Sequence, residues 1–209
     1  MCMKINSLHY ITASPEAAEL ACQGGVRWVQ LRVKNQPAAI WKQLALGTQA
    51  VCRRHGATLI INDNPALVQE IGAEGVHLGQ QDLPPDEARQ MLGDHFIIGG
   101  TANTFADVQR LAAAGVDYVG LGPFRFTTTK EKLSPILGLA GYTGIMQQCR
   151  AAGITVPVIG IGGVRLEDVA ALLETGLHGV AVSGAIGAAE NPTAAAELFI
   201  SELMGVKAI

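Results

Sequence analysis

One pattern of hydrophobic and polar positions recurs along the whole chain. A short β-branched run is followed by a few polar or glycine residues, then by an amphipathic stretch rich in alanine and leucine. The runs at 8–12, 28–34, 58–63, 75–79, 97–102, 118–122, 156–162 and 179–183 predict strands. Helical patterns occupy, among other stretches, 38–54, 85–92, 105–114, 142–152, 166–175 and 192–203. Several helices carry start and stop signals. Glu167 and Asp168 put negative charge in a first turn, Asn191-Pro192 offers a cap followed by proline, and Gly115 and Gly176 follow their helices. Such alternation predicts a parallel sheet with helices outside it, and the number of units predicts a closed (β/α)8 TIM barrel, one domain over 1–209. An open doubly wound sheet that bound a dinucleotide would carry a Gly-x-Gly-x-x-Gly turn after its first strand. Here that strand ends in Thr12-Ala13-Ser14-Pro15. The longest irregular stretch, 123–139, follows strand six and reads as a functional loop.

Composition narrows the classes of function. With 49% hydrophobic and 16% charged residues, burial is plentiful and disorder is not expected. A net charge of −3 argues against a nucleic-acid surface while permitting a local basic pocket. Cys2, Cys22, Cys52 and Cys149 are widely spaced, which argues against a zinc site; Cys22 and Cys52 fall within helical patterns as small apolar residues. The first residues lack the apolar run of a signal peptide, and no stretch is apolar enough to span a bilayer. The expected setting is the reducing cytoplasm. The expected partners are small-molecule substrates, with neither nucleic acid nor membrane; a homo-oligomer stays open.

Candidate chemistry gathers at the strand ends, where barrel enzymes place their active sites. In strand two, Gln30, Arg32 and Lys34 alternate with Leu31 and Val33, so the polar three share a face. With Leu31 and Val33 against the helices, that face points into the barrel, where cations need an anion. The alternative is a solvated edge strand. Strand three ends in Asn62-Asp63 and strand four leads to Asp82. Neighbouring carboxylates repel unless a cation or proton intervenes, and magnesium typically takes one or two carboxylates with waters and phosphate oxygens. The alternative is that each aspartate caps the next helix. His77, in mid-strand, reads as a hydrogen-bonded structural histidine. After strand five, Gly99-Gly100-Thr101 suggests close backbone approach to a ligand and a hydroxyl donor, though Thr104 is equally a helix cap. Thr127-Thr128-Thr129-Lys130 offers three hydroxyls and an ammonium for an oxyanion, or an ordinary exposed turn. Gly162-Gly163 after strand seven and Ser183-Gly184 after strand eight occupy the common phosphate position of this barrel. The picture is of two anion subsites: a charged one suited to magnesium and a diphosphate, and a backbone one suited to a monophosphate.

Together these segments resemble the thiamine phosphate synthase family. The resemblance is carried by Gln30-Leu31-Arg32-Val33-Lys34, Ile61-Asn62-Asp63, 75–82 (GVHLGQQD), 118–123 (YVGLGP), Thr127-Thr128-Thr129-Lys130 and 159–163 (IGIGG), in family order over nearly the whole chain. It implies a transferase that condenses 4-amino-2-methyl-5-hydroxymethylpyrimidine diphosphate with a thiazole phosphate, or its carboxylate, to give thiamine phosphate and diphosphate. It further implies that Gln30, Arg32, Lys34, Asn62, Thr101 and Lys130 contact the pyrimidine diphosphate, with Arg32, Lys34 and Lys130 catalytic. Asp63 and Asp82 would hold Mg2+. Thr127, Thr129, Gly162, Gly163, Ser183 and Gly184 would bind the thiazole phosphate. Many relatives carry valine–serine where Gly100-Thr101 stands, so Thr101 keeps the hydroxyl; at Ser183-Gly184 the serine is displaced by one.

Three other functions compete. A thiazole tautomerase of the same superfamily would use a histidine just after strand five, where Asn103 stands. A non-catalytic barrel binding a thiamine precursor would have lost its catalytic charges. An isomerase or aldolase would need an acid–base pair or a Schiff-base lysine deep in the barrel, and the sequence offers no convincing one.

Overall fold

All eight expected strands form, and in a computed structural model describing residues 5–126 and 135–207 they close into a parallel barrel in chain order. The strands are β1 (Leu8–Thr12), β2 (Trp28–Leu31), β3 (Thr58–Asn62), β4 (Gly75–Leu78), β5 (Ile97–Ala102), β6 (Tyr118–Leu121), β7 (Val158–Ile161) and β8 (Gly179–Val182). The helices are α1 (Pro15–Gln23), α2 (Ala38–His55), α3 (Pro65–Ile71), α4 (Pro85–Leu92), α5 (Phe105–Ala113), α6 (Gly138–Ala151), α7 (Val169–Glu174), α8 (Gly184–Gly187) and α9 (Pro192–Lys207).

Boundaries differ from expectation where glycine or charge ends the pairing. Strand two stops at Leu31 instead of Lys34, although the Arg32 N–H still donates to the Thr12 carbonyl at 2.8 Å. Strand seven shortens to Val158–Ile161. The expected helix at 166–175 divides into a 3₁₀ turn, Leu166–Asp168, and α7. Caps account for many starts. Ser14, Asn64 and Thr104 accept N–H bonds at the heads of α1, α3 and α5, and Asn191 Oδ1 accepts from Ala194 at the head of α9. Thr104 and Asp107 form a reciprocal capping box.

Each strand is buried on both faces, so alternation sorts residues between two cores. Val29, Leu31, Val33, Leu59, Ile61, Val76, Leu78, Val119 and Leu121 pack outward against the helices. Ile11, Trp28, Ile60, Ile97, Tyr118, Ile159 and Ala181 pack inside the barrel. His9 belongs to this inner floor. Its ring stacks on Trp28 at 4.4 Å and its Nε2 bonds to the Asn6 carbonyl at 2.9 Å. Burial above all holds its pKa down to about 3. Polar inward residues stand farther up the same strands, on the side that faces the C-terminal loops.

Candidate active site

The inward-facing positions of β2 and of the three residues that continue it run from apolar to charged. Trp28 lies in the floor, Gln30 is 4% exposed, Arg32 is half-buried and Lys34 is exposed. Leu31 and Val33 lie in the outer core, so the polar face does point into the barrel and the edge-strand alternative fails. Gln30 Nε2 donates to Asn62 Oδ1 at 2.7 Å, tying the upper ends of β2 and β3 together. Both side chains are buried, and the bond meets part of their need for partners.

Asp63 follows at the end of β3 in a left-handed conformation, φ 62°, and its N–H donates to the His77 carbonyl at 2.8 Å. Neither aspartate caps a helix. Asn64 caps α3 and Pro84 precedes α4, while Asp82 Oδ2 accepts the Gly79 N–H at 2.6 Å. The Asp63 carboxyl is raised to about 7. Burial is the largest cause, followed by the hydrogen bond to Asp82 and the negative charge of Asp82; Lys34 and Arg32 pull the other way. Two carboxylates and two cations therefore act on one another at the mouth. Such a carboxylate pair fits a hard divalent cation that takes its remaining ligands from water or phosphate. Among the described residues no group of three or more His, Cys, Asp or Glu could hold a metal by itself.

Gly99 and Gly100 of β5 have a different purpose from the ligand approach expected of them, and Gly120 of β6 shares it. A Cβ on Gly99 would overlap the Tyr118 ring, and one on Gly100 would lie 2.5 Å from Leu111 of α5. A Cβ on Gly120 would come within 3.1 Å of His77 Cε1. The missing side chains make room for two large inward residues to cross neighbouring strands. Tyr118 passes over Gly99 and bonds His77 Nδ1 at 3.0 Å; His77 lies against Gly120 and bonds Thr101 Oγ1 at 2.9 Å. His77 is thus hydrogen-bonded, as expected, but its tie to Thr101 escaped sequence reasoning. The tie depends on register, which sets both His77 and Tyr118 opposite Gly99 across the sheet.

Across the mouth, the segment after β6 docks on the turn after β7. The N–H groups of Phe124 and Arg125 donate to the carbonyls of Ile161 and Gly162, each at 2.9 Å. Gly162 and Gly163 have φ of 95° and 70°, and a Cβ on Gly162 would lie 2.7 Å from that of Pro123. Arg125 is paired with Asp168 through both guanidinium nitrogens, Nη2 to Oδ1 at 2.6 Å, and also reaches the Gly163 carbonyl. Its charge is committed to the scaffold. Ser183 precedes the short helix α8 and accepts the Gly187 N–H through its carbonyl at 2.8 Å. Register places it beside the β7 turn, since Ile161 pairs with Ala181. Thr127, Thr129 and Lys130 lie outside the described residues. A separate pocket of about 270 Å3 opens between α2 and α3, lined by Trp41, Lys42, Asn64 and Glu70 among others, and includes none of the residues expected to bind substrate.

The family model described as thiamine monophosphate synthase matches residues 5–186. The chain belongs to that family. Among its relatives, the thiamine-phosphate synthase of Bacteroides thetaiotaomicron (strain VPI-5482) is 51% identical over 179 residues, 86% of each chain. That of Bacillus velezensis is 38% identical over 193 residues, 91% of this chain and 84% of the other. The solved thiamine phosphate pyrophosphorylase from Pyrococcus furiosus superposes with a TM-score of 0.85 at 25% identity, covering 96% of both chains. Thiamine monophosphate synthases and this chain therefore share both sequence and barrel, and the matched span contains every residue of the mouth described above.

Proposed function

We infer that the protein is a thiamine-phosphate synthase. It joins 4-amino-2-methyl-5-hydroxymethylpyrimidine diphosphate to a thiazole phosphate, or its carboxylate, releasing diphosphate. The observation that carries this reading is the cluster of Arg32, Lys34, Asp63 and Asp82 at the mouth of a barrel of this family. The reaction breaks the bond between the pyrimidinylmethyl carbon and the diphosphate oxygen, and the electron pair departs with diphosphate. The thiazole nitrogen then supplies a pair to that carbon. No protein nucleophile is needed; the protein must hold the two rings and offset the charge growing on the leaving group.

Arg32 and Lys34 meet that charge from just past the end of β2, with Lys130 from the sequence that follows β6. Asn62 and Gln30 hold the pyrimidine diphosphate through the amide ends not used in their mutual bond, and Thr101 adds its hydroxyl. Asp63 and Asp82 would hold Mg2+, which when bound supplies positive charge to the diphosphate. Thr127, Thr129, Gly162, Gly163, Ser183 and Gly184 receive the thiazole phosphate. The tautomerase reading gains nothing from position 103, where Asn103 donates its amide to the Gly122 carbonyl. Free, buried Cys22, Cys52 and Cys149 accord with a reducing compartment, and no helix among the described residues is long and apolar enough to cross a membrane.

Purified protein given both substrates with Mg2+ is expected to form thiamine phosphate, and to form far less without the ion. Absence of product from active substrates overturns the reading. Asp82→Asn keeps an acceptor for the Gly79 N–H and removes the charge. It should lower turnover by roughly 10²–10³-fold with little change in melting temperature.

A further inference from the structure

His77 lies at the centre of β4, 6% exposed, and the reaction as derived above gives it no role. It is nevertheless the element that joins the barrel floor to the mouth. Below it, Tyr118 is packed edge-on against both His9 and Trp28, with ring centroids 5.0 and 5.6 Å away. Above it stands the Thr101 hydroxyl. We propose that His77, held by Tyr118, is a positioning residue that sets the direction of the Thr101 hydroxyl and thereby the binding of the pyrimidine diphosphate. The proposal rests on the reading that Thr101 faces that substrate.

The chain of donors follows from elementary chemistry. The Tyr118 phenol is fully buried, and burial keeps it protonated. A buried phenol O–H needs an acceptor, and His77 Nδ1 stands 3.0 Å away. When Nδ1 accepts, the imidazole proton lies on Nε2, which donates to Thr101 Oγ1 at 2.9 Å. The Thr101 oxygen then has its acceptor need met from below, and its own proton is turned toward the mouth. That presents a directed donor to an acceptor atom of the substrate, a ring nitrogen or a phosphate oxygen. Without the relay the hydroxyl rotates among its staggered positions and can point its proton back into the barrel. Two glycines, Gly99 and Gly120, are given over to fitting this chain through the sheet.

The test is steady-state kinetics on the full-length Mg2+-loaded enzyme, with KM measured separately for each substrate. Thr101→Val is expected to raise KM for the pyrimidine diphosphate about tenfold, the scale of one lost hydrogen bond, and to leave KM for the thiazole phosphate unchanged. His77→Leu should reproduce that selective change, and the double variant His77→Leu/Thr101→Val should be no worse than either alone. His77→Gln sets an amide N–H near the position of Nε2 and should recover most of the loss. Tyr118→Phe keeps the ring packing, so it reports on the relay even if His77→Leu fails to fold. It should raise the same KM by a smaller factor. Additive effects, equal changes in both KM values, or no recovery in His77→Gln would overturn the relay while leaving Thr101 assigned. A normal Thr101→Val would sink both the relay and that assignment.

Discussion

The two sides of the barrel mouth are made of different material. Across β2–β4 the candidate groups are side chains: Gln30, Arg32, Lys34, Asn62, Asp63 and Asp82. Across β6–β8 the candidate groups among the described residues are backbone turns, whose glycines are also what lets the segment after β6 lie on the turn after β7. On the first side, chemistry is added to a strand that would pair without it. The Arg32 backbone bond to Thr12, for example, does not depend on its side chain. On the second side, the residues that would offer N–H groups to a phosphate also hold the turn together through their carbonyls, Gly162 to the Arg125 N–H and Ser183 to the Gly187 N–H. Function and stability are therefore separable on the charged side and joined on the glycine side.

The largest effect should come from the charged side and leave the fold untouched. Arg32→Ala removes a half-buried cation that acts on Asp63 from just past the end of the neighbouring strand. Loss of kcat/KM on the order of 10³-fold is expected, about 4 kcal/mol of transition-state stabilisation. Melting temperature should hardly move, because the Arg32 side chain belongs to neither hydrophobic core, and changes away from packing are usually within about 0.5 kcal/mol. Kinetics and a thermal melt on the same preparation decide it. A melt lowered by many degrees would show that the charged side is structural after all.

Gly162→Ala should give the opposite signature. At φ 95° an alanine is strained, and its Cβ would lie 2.7 Å from that of Pro123. A stability loss of about 1–3 kcal/mol follows from the strained backbone alone. The segment after β6 must also shift, so KM for the thiazole phosphate should rise with the melt falling in parallel. Denaturant unfolding and substrate-resolved kinetics check both. An alanine variant that loses thiazole affinity at full stability would break the link drawn between binding and packing on this side.

The same contrast explains what could be read from the sequence. Side chains leave a signal in one-letter code: the alternation of Gln30, Arg32 and Lys34 with Leu31 and Val33 gave both the strand and its inward face. The pairing of Asp63 with Asp82 followed from successive strand ends. Glycine leaves an ambiguous signal, because it marks any close approach. Gly99 and Gly100, read as room for a ligand, are room for Tyr118 and Leu111. Whether a glycine serves a ligand or a neighbouring ring depends on register between strands, which one strand's sequence does not contain. His77 was legible as hydrogen-bonded; its partners on β5 and β6 were not, for the same reason. The extra short helix α8 packs on α1 and α9, and the helix divides near Asp168 where Asp168 pairs with Arg125; neither contact is written in the segment's own sequence.

That pairing gives the smallest of these effects and a test by pH. Arg125→Ala should cost about 1–2 kcal/mol, because the guanidinium is two-fifths exposed and water screens part of a bidentate bond to a well-buried carboxylate. Burial works against the charged form of Asp168, but Arg125 and the Arg165 N–H outweigh it and hold the carboxyl below its usual 3.8. Between its depressed folded pKa and 3.8, the unfolded chain binds the proton that the folded chain refuses, so stability rises with pH through that interval. The contribution is complete above about pH 4–5 and fades as pH falls through the folded value. The wild type and Arg125→Ala should therefore differ in unfolding free energy by the full amount at pH 7 and converge in acid below pH 3.8. The buried neutral His9 lowers stability over a wider acid range, as pH falls from about 6.5 toward 3, but equally in both proteins. Taking the difference between the two unfolding curves cancels it. A gap that persisted unchanged to pH 2 would mean that Arg125 stabilises the glycine side through the Gly163 carbonyl and packing on Phe124 rather than through the charge of Asp168.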